Sequence, residues 1–325
     1  MKRSFSIVFI CIVILASVAA FTGKQDAYKG FSIKNFENTL ALIPEGSFII
    51  GQCDQDVPYV HAEKCRTVST DTFYISKFEV SNGQYLEFLS EIKKRDTSFY
   101  KIMLPDTLVW RKKYAECEPF IDYYLRHPAY SNYPVAGVSY EQADAFCKWL
   151  TQKYMSEPKR KFKSVCFKLP TREQWIYAAK GKSALSPFPW NGLDMQNKKG
   201  EWLANFRAIP QFSIGRDSLY VKNYYGQYEK KQFNISDIGY VTGATLNPEN
   251  DADITVPVNS FYPNGYGLFN MAGNVEEFVR EKGKTHGGSW HDTGYYLQNH
   301  IFESYDTLHS ASAERGFRFI MEIEK

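Results

Sequence analysis

Cysteine and net charge are both scarce in this chain, and each scarcity argues against a class of function. The 325 residues include six cysteines, and no two of them form a C-x-x-C pair, so zinc-ribbon and thioredoxin-like sites have little support. The formal net charge of +3 is too small to indicate nucleic acid or an anionic membrane as a partner. No internal repeat and no second-domain linker is visible, so the sequence predicts one folded domain.

Aromatic residues, by contrast, are abundant. They make up 16% of the chain, with 23 Tyr and 24 Phe. Because each aromatic ring buries a large area, this composition favours aromatic packing across a structure that is rich in loops.

The N-terminus has the pattern of a secretory signal peptide. Two basic residues at positions 2–3 precede an apolar run over residues 7–15, and small residues follow up to Ala20. We predict cleavage near Ala20, which makes residues 1–20 a signal peptide and the patternless residues 21–38 a linker. An uncleaved membrane anchor is the alternative, although the apolar run is short for a membrane span.

Five cysteines remain after the signal peptide is removed. Cys11, inside it, follows the large residue Ile10 and not a small one, so no lipid attachment is predicted. An exported chain can form disulfides, and an odd number of cysteines leaves at least one thiol unpaired. The sequence leaves the pairing open among Cys53, Cys65, Cys117, Cys147 and Cys166.

Three helices are predicted by one N-terminal signal, the capping box. A Ser or Thr hydroxyl accepts a hydrogen bond in the first helical turn, and a Gln three residues later reaches back. This pattern occurs at residues 81–84, 139–142 and 171–174. Strands are predicted over residues 40–51, with a Pro/Gly break, and over residues 73–80.

Six ordered motif blocks span nearly all of the predicted mature chain. They are residues 43–48, 73–82, 134–139, 169–175, 263–277, and Gly-Gly-Ser-Trp at 287–290 with Gly-Phe-Arg at 316–318. In this order they resemble the formylglycine-generating enzyme (sulfatase-modifying factor) family. The resemblance implies one α+β domain over residues 39–325, with the family's C-type-lectin-like fold and little regular secondary structure. Residues from about 215 to 250 are predicted to be a surface insertion.

A narrower resemblance appears in the middle of the chain and after Gly-Gly-Ser-Trp. Residues 104–110, 118–119, 123–135, Asp292 and 295–297 resemble the gliding-motility and type IX secretion lipoproteins of Bacteroidota. Those proteins form periplasmic ring components beneath the outer membrane, and they are thought to be scaffolds. The missing lipid-attachment cysteine is a departure from that branch.

The redox cysteine pair of active family members has no counterpart here. Counted back from residues 316–318, its two positions fall near Tyr295 and His300, and no cysteine lies between Trp290 and the C-terminus. Two soft thiolates are what bind Cu(I) and cycle through a disulfide, so copper is not predicted as a cofactor.

Further substitutions agree with this interpretation. Glu276 and Phe278 stand where active members usually carry Trp on either side of the glutamate, and His286 replaces the usual Arg before Gly-Gly-Ser-Trp. The chain is therefore predicted to be a pseudo-enzyme with no catalytic residues. The Gly-Gly-Ser-Trp segment is predicted to form a tight turn with a buried Trp.

The resemblance implies two structural calcium sites, since calcium takes six to eight hard oxygen ligands. Side-chain oxygens of Asn270 and Glu277 and carbonyls of Gly273 and Val275 match the family's second site. The first site maps to two residues and a following acidic loop, and its residues are Asn205, Phe206, Asn250, Asp251 and Asp253. The alternative is that these side chains only cap the backbone of loops.

Four of the six histidines lie near the C-terminus. Their spacing follows no helix or strand period that would bring them together, so scattered loop histidines are favoured over a metal centre. They are His286, His291, His300 and His309.

We expect an exported, non-catalytic member of this family, located in the periplasm or cell envelope, with outer-membrane association as part of this expectation. It would be a structural or binding component, similar to the type IX secretion scaffolds. Its partners would be envelope proteins, in a ring or another secretion-associated complex, with peripheral membrane contact. The alternatives are a formylglycine-generating oxidoreductase that acts on sulfatase cysteines, and a lectin-like binding module.

Overall fold

The structure is a computed structural model, and it describes most of the chain. The described residues are 30–51, 65–113, 117–183, 186–208, 218–222, 228–232 and 254–324. The predicted signal peptide lies outside them. Within these ranges no helix is both long and apolar enough to cross a membrane.

Helices and strands are mixed along the described chain, as the α+β prediction requires. The helices are α1 (Ile33–Asn38), α2 (Asn82–Arg95), α3 (Thr97–Ile102), α4 (Val109–Lys113), α5 (Phe120–Tyr123), α6 (Tyr140–Ser156) and α7 (Arg172–Ala179). The first seven strands are β1 (Leu40–Ile43), β2 (Gly46–Ile50), β3 (Arg66–Thr70), β4 (Phe73–Ser76), β5 (Val165–Lys168), β6 (Ser218–Lys222) and β7 (Tyr228–Gln232). The last five are β8 (Glu276–Phe278), β9 (Lys284–His286), β10 (Phe302–Ser304), β11 (Arg315–Gly316) and β12 (Ile320–Ile323).

The three predicted capping boxes are all present. At α2 the hydroxyl of Ser81 accepts from the amide of Gln84, and the Gln84 side chain accepts from the amide of Ser81. The same reciprocal pair begins α6 at Ser139 and α7 at Thr171. Each box satisfies amide groups that the first turn of a helix leaves without an internal partner.

The last residues of the predicted linker belong to the folded domain. α1 lies within residues 21–38, and its Phe36 is only 6% exposed. The Phe36 ring packs against Phe167 and Phe319 at centroid distances of 5.6 and 5.9 Å. This burial explains why a six-residue helix with no side-chain cap is ordered.

The first four-stranded sheet has the order β1-β4-β12-β5, and every pair in it is antiparallel. The strand predicted over residues 40–51 is present as two strands, β1 and β2. The strand predicted over residues 73–80 ends at Ser76.

The main core lies between this sheet and helices α2 and α6. Phe88 of α2 meets Phe146 of α6 edge-on, with ring centroids 5.5 Å apart, and Phe146 in turn contacts Phe317 at 5.4 Å. Cys147 is fully buried in the same core as a free thiol, and burial raises its pKa well above the usual value. Cys166 is also a free thiol, and Cys53 lies outside the described residues.

A second sheet, of order β10-β9-β8-β11, holds the candidate site. β9 pairs antiparallel with both β8 and β10, whereas β11 runs parallel to β8. The predicted surface insertion is described only where β6 pairs antiparallel with β7.

Candidate functional site

The short strands of the second sheet carry opposite chemistry on their two faces. Side chains alternate between faces along a strand, so the neighbours Glu276 and Glu277 of β8 point in opposite directions. Across the sheet, Glu277 stands opposite His286, while Thr285 stands opposite Glu303. One face thus carries carboxyl groups, and the other carries a buried imidazole.

Glu276 anchors the carboxyl-rich face. Its side chain is 2% exposed, Nε of Arg315 donates to its Oε1 at 2.6 Å, and Nη2 of Arg315 forms an ion pair with the same oxygen at 2.6 Å. The hydroxyl of Thr285 donates to Oε2. Burial raises the pKa of Glu276 although the Arg315 charge opposes the rise, and the nearby charge of Asp292 raises the pKa further.

Asp292 and Glu303 are two further acidic groups beside Glu276, and each shifts the pKa of the other. The backbone amide of Ser289 donates to Oδ2 of Asp292 at 2.8 Å, and the Ser289 hydroxyl donates to the same oxygen. Burial raises the pKa of Glu303 to about 9, and the charges of Glu276 and Asp292 add to the rise. The Glu303 carboxyl therefore keeps its proton at neutral pH.

Glu314 is the fourth acidic group on this face, and it is 9% exposed. Its Oε1 lies 3.2 Å from Nδ1 of His291. We refer to Glu276, Asp292, Glu303 and Glu314 as the carboxyl cluster. Of its members, sequence reasoning had singled out Glu276 and Asp292 only as comparisons with the family, and it missed the other two.

The opposite face is built around His286, the one of the four C-terminal histidines that lies in a strand and not in a loop as predicted. His286 lies in β9, is 1% exposed, and stacks on Trp175 of α7 with ring centroids 5.1 Å apart. Burial lowers the pKa of His286 well below its usual value, and the charge of Arg172 lowers it further. The imidazole is therefore neutral at physiological pH.

Glu277 forms a fully buried ion pair with Arg318. Nη2 of Arg318 donates to Oε1 of Glu277 at 2.6 Å, and Nε donates to Oε2 at 2.7 Å. The indole nitrogen of Trp175 donates to the same Oε2 at 2.7 Å. The guanidinium also donates to backbone carbonyls, among them that of Phe269 at 2.9 Å. Arg318 is 0% exposed, so these contacts replace water completely.

The ion pair between Glu277 and Arg318 occupies the carboxylate of the predicted second calcium site. Of the four residues Asn270, Gly273, Val275 and Glu277, the structure brings Asn270 and Glu277 together, because both contact Arg318. The one carboxylate among the four residues is, however, bound at both oxygens by a permanent cation. As arranged here, this set does not fit calcium, which would compete with Arg318 for Glu277.

A second buried carboxyl group, Glu79, lies behind Arg318 and was missed from the sequence. Nδ2 of Asn274 donates to its Oε1 at 2.8 Å, and Nδ2 of Asn270 donates to its Oε2 at 3.2 Å. Burial raises the pKa of Glu79 to about 8, against the lowering effect of Arg318. Asn270 and Asn274 adopt φ angles of +48° and +67°, which turn their side chains inward at this crowded point.

The predicted first calcium site is described in part. Asn205 is 0% exposed, and its Nδ2 donates to the carbonyl of Ile254 at 3.0 Å. Its Oδ1 is buried with no hydrogen-bond partner among the described residues. Such an oxygen fits the role of a calcium ligand. Phe206 is buried beside it. The acidic loop that would complete the site, Asn250, Asp251 and Asp253, lies outside the described residues.

The segment between β9 and β10, residues 287–301, contains the predicted tight turn and the expected cysteine positions. Gly287 and Gly288 adopt φ angles of +95° and +65°, and Trp290 is 2% exposed, as predicted. A β-carbon at Gly288 would lie 3.1 Å from the backbone of Tyr296, so a larger residue does not fit.

Neither predicted cysteine position carries a group capable of thiol chemistry. The ring of Tyr295 packs against Tyr296, and His300 lies near enough to His286 to lower its pKa. Among the described residues, no group of three or more His, Cys, Asp or Glu side chains is arranged to hold a metal ion. The pair of acid–base groups that the structure brings together in this region is instead Asp292 with Glu303.

Comparison with known proteins gives one family. The profile of the sulfatase-modifying factor enzyme 1-like domain matches residues 32–239 and 226–323. The formylglycine-generating enzyme of Mus musculus is 27% identical over 85% of this chain and 73% of its own length. That of Thermomonospora curvata is 27% identical over 78% of this chain and 74% of its own. A Bos taurus relative named inactive C-alpha-formylglycine-generating enzyme 2 is 25% identical over 78% of both chains.

Solved structures support the fold. PvdO from Pseudomonas aeruginosa superposes with a TM-score of 0.52 at 18% identity, covering 87% of this chain and 94% of its own. Treponema denticola variable protein 1 gives a TM-score of 0.53 at 16% identity, covering 86% and 94%. At these identities the similarity concerns the fold alone.

Proposed function

This chain belongs to the sulfatase-modifying factor family, and we propose that it is an exported, non-catalytic member that acts as a structural or binding component of the cell envelope. The role would be similar to that of the type IX secretion and gliding-motility scaffolds. The C-type-lectin-like form of the family's α+β fold is part of the same proposal.

One observation carries the non-catalytic part of the proposal. Where the resemblance places a redox pair of cysteines, the 287–301 segment carries Tyr295 and His300, with the carboxyl of Asp292 nearby, and the sequence has no cysteine after Cys166. Carboxyl groups cannot form a disulfide, and they are hard ligands with little affinity for Cu(I). Family membership without the activity has a precedent by name in the inactive relative from Bos taurus.

A peptide assay tests this part directly. The purified protein, with and without copper, is incubated with a peptide that carries the sulfatase cysteine motif, and mass spectrometry follows conversion of cysteine to formylglycine. We expect no conversion above a copper-only blank, while an active family enzyme converts the peptide under the same conditions. Turnover above the blank would establish the alternative, a formylglycine-generating oxidoreductase.

The envelope role rests on the predicted signal peptide and on the narrower resemblance to secretion scaffolds. Chemical cross-linking in intact cells, followed by purification of a tagged chain, tests it. A scaffold is recovered in a large complex with envelope proteins. A monomer that binds one small partner saturably would support the lectin-like alternative.

We further propose that calcium occupies the first site and stabilises the fold. The support is Oδ1 of Asn205, which is buried and has no hydrogen-bond partner within the part of the chain that the structure describes. At a hundredfold excess over its dissociation constant, a ligand that binds only the native state adds about 2.7 kcal/mol. We expect a higher melting temperature in calcium than in chelator, and a smaller difference in Asn205→Ala. Equal melting temperatures for the wild type would contradict the proposal.

A further inference from the structure

Helix α3 buries none of its own residues. Its two large apolar side chains, Phe99 and Ile102, are 39% and 66% exposed. They are three positions apart, so they lie on the same face of the helix. Apolar side chains in water gain free energy when another surface covers them. This face is therefore suited to contact with something outside the chain.

The backbone of α3 is nevertheless held firmly against the domain at both ends. At its N-terminus the carboxylate of Asp96 accepts from the amide of Phe99 at 2.9 Å. At its C-terminus Nε2 of Gln142, in the first turn of α6, donates to the carbonyl of Ile102 at 2.8 Å. The two apolar side chains are thus presented to solvent by a helix whose position is fixed.

Basic side chains surround these apolar groups. Residues 93–102 contain four basic and one acidic side chain, so this stretch has a net charge of +3, equal to that of the whole chain. Nζ of Lys93 lies 5.4 Å from the centroid of the Tyr100 ring, which brings the end of α2 beside α3. The four exposed basic residues are Lys93, Lys94, Arg95 and Lys101.

The acidic groups in and beside this stretch are already engaged. Asp96 accepts from the first turn of α3. Glu91, one turn earlier in α2, accepts from Lys153 at 2.5 Å and from the Trp149 indole at 2.8 Å. The surplus of positive charge therefore faces solvent.

The dipole of α2 accounts for only part of this pattern. The basic residues at 93–95 occupy the last turn of α2, where cations are favoured near the C-terminus of a helix. This effect does not account for Lys101, which lies in α3, or for the exposure of Phe99 and Ile102.

We propose that residues 93–102 form a contact surface for an anionic lipid bilayer. Phe99 and Ile102 enter the boundary between head groups and acyl chains, and the basic side chains lie against the lipid phosphates. A lipid surface fits better than an acidic protein, because three of the four basic residues are lysine, which is depleted in the cores of protein interfaces. The inference rests on the proposed envelope location and names the membrane surface of that component.

Flotation of the full chain with lipid vesicles, after purification of the chain as the cell produces it, tests this surface separately from the cross-linking described above. Vesicles of phosphatidylcholine with phosphatidylglycerol are compared with vesicles of phosphatidylcholine alone. We expect about tenfold stronger binding to the anionic vesicles, and loss of this difference in high salt, which screens exposed charges. Equal binding to both kinds of vesicle would overturn the proposal. Absence of binding to the anionic vesicles would also overturn it, in favour of an acidic protein.

Two variants locate the binding surface. Phe99→Ser with Ile102→Ser removes the apolar groups and keeps the charge, whereas Lys93→Gln with Lys94→Gln and Lys101→Gln removes three charges. Because all of these side chains are exposed, both variants should keep the urea unfolding midpoint of the wild type. Each is expected to bind the anionic vesicles about tenfold more weakly.

The matched control is Lys159→Gln with Lys161→Gln and Lys163→Gln, which removes three exposed lysines and changes the net charge equally. These residues follow the C-terminus of α6, whereas Gln142 holds α3 at its N-terminus. The 17 residues of α6 separate the two positions by about 25 Å. The control should bind like the wild type. An equal loss in the control, or full binding by either variant of residues 93–102, would overturn the assignment of this surface.

Discussion

The buried ion pair between Glu277 and Arg318 allows the sharpest test of how this fold is held together. Among the described residues, Glu277 is the one carboxylate hydrogen-bonded to the guanidinium of Arg318, which is 0% exposed, and Glu277→Ala removes it together with the acceptor of the Trp175 indole. Breaking a buried ion pair by removing one partner costs about 3–5 kcal/mol. Small domains typically have about 5–15 kcal/mol of stability, so the variant should be severely destabilised.

Urea unfolding followed by tryptophan fluorescence measures the effect. The double variant Glu277→Gln with Arg318→Met removes both charges, and it should recover most of the lost stability because no uncompensated charge remains. Glu118→Ala is the matched control, because it breaks an ion pair with Arg111 whose side chains are 52% and 59% exposed. Its unfolding midpoint should stay near that of the wild type.

The same experiment in calcium and in chelator separates the two interpretations of Glu277. The ion-pair reasoning requires the same loss under both conditions. A loss of unfolding free energy below about 1 kcal/mol would refute it, because a buried cation left without its partner destabilises the fold by more than that. A loss seen only in calcium would restore Glu277 as a metal ligand.

Two further predictions follow from burial and from the N-terminal pattern. Because the pKa of His286 is lowered in the folded protein, the unfolded state binds the extra proton more readily as the pH falls. The free energy of unfolding of the wild type should therefore fall by up to about 1.4 kcal/mol per pH unit below pH 6.5 on account of this group. In urea unfolding between pH 4.5 and 6.5, His286→Phe should show a smaller decrease of this free energy with falling pH. An unchanged slope would mean that another group causes the acid sensitivity. The mature protein should begin near Phe21 without a lipid and should leave the membrane fraction in high salt or urea; an acylated N-terminal peptide, or a mature protein that retains Lys2, would contradict this.

Local signals in the sequence were sufficient for the helices that position the site. The capping boxes at Ser81, Ser139 and Thr171 depend on residues three apart, so they can be predicted from the local sequence without any tertiary contact. α1 was missed for the opposite reason. It has no side-chain cap, and it is held by the contacts of Phe36 with rings far along the chain.

The buried polar groups could not be predicted in the same way. Glu79 and its partner Asn274 are 195 positions apart, so no short pattern links them. His286 was mistaken for a loop residue because β9 has three residues, too few to show the alternation that identifies a strand. The carboxyl pair was missed because Asp292 and Glu303 come together only through the shape of the 287–301 segment.

The neighbouring residues Glu276 and Glu277 explain how a chain can keep this fold while the chemistry of the site changes. They differ by one position in one strand, so strand geometry alone directs them to opposite faces of the sheet. Glu277 faces Trp175 and Arg318, where its charge is compensated and the fold depends on it. Glu276 faces the carboxyl cluster, where Arg315 donates to its carboxylate while burial and the neighbouring acidic groups raise its pKa. Substitutions on the second face therefore change its acid–base groups without altering the ion pair on the first.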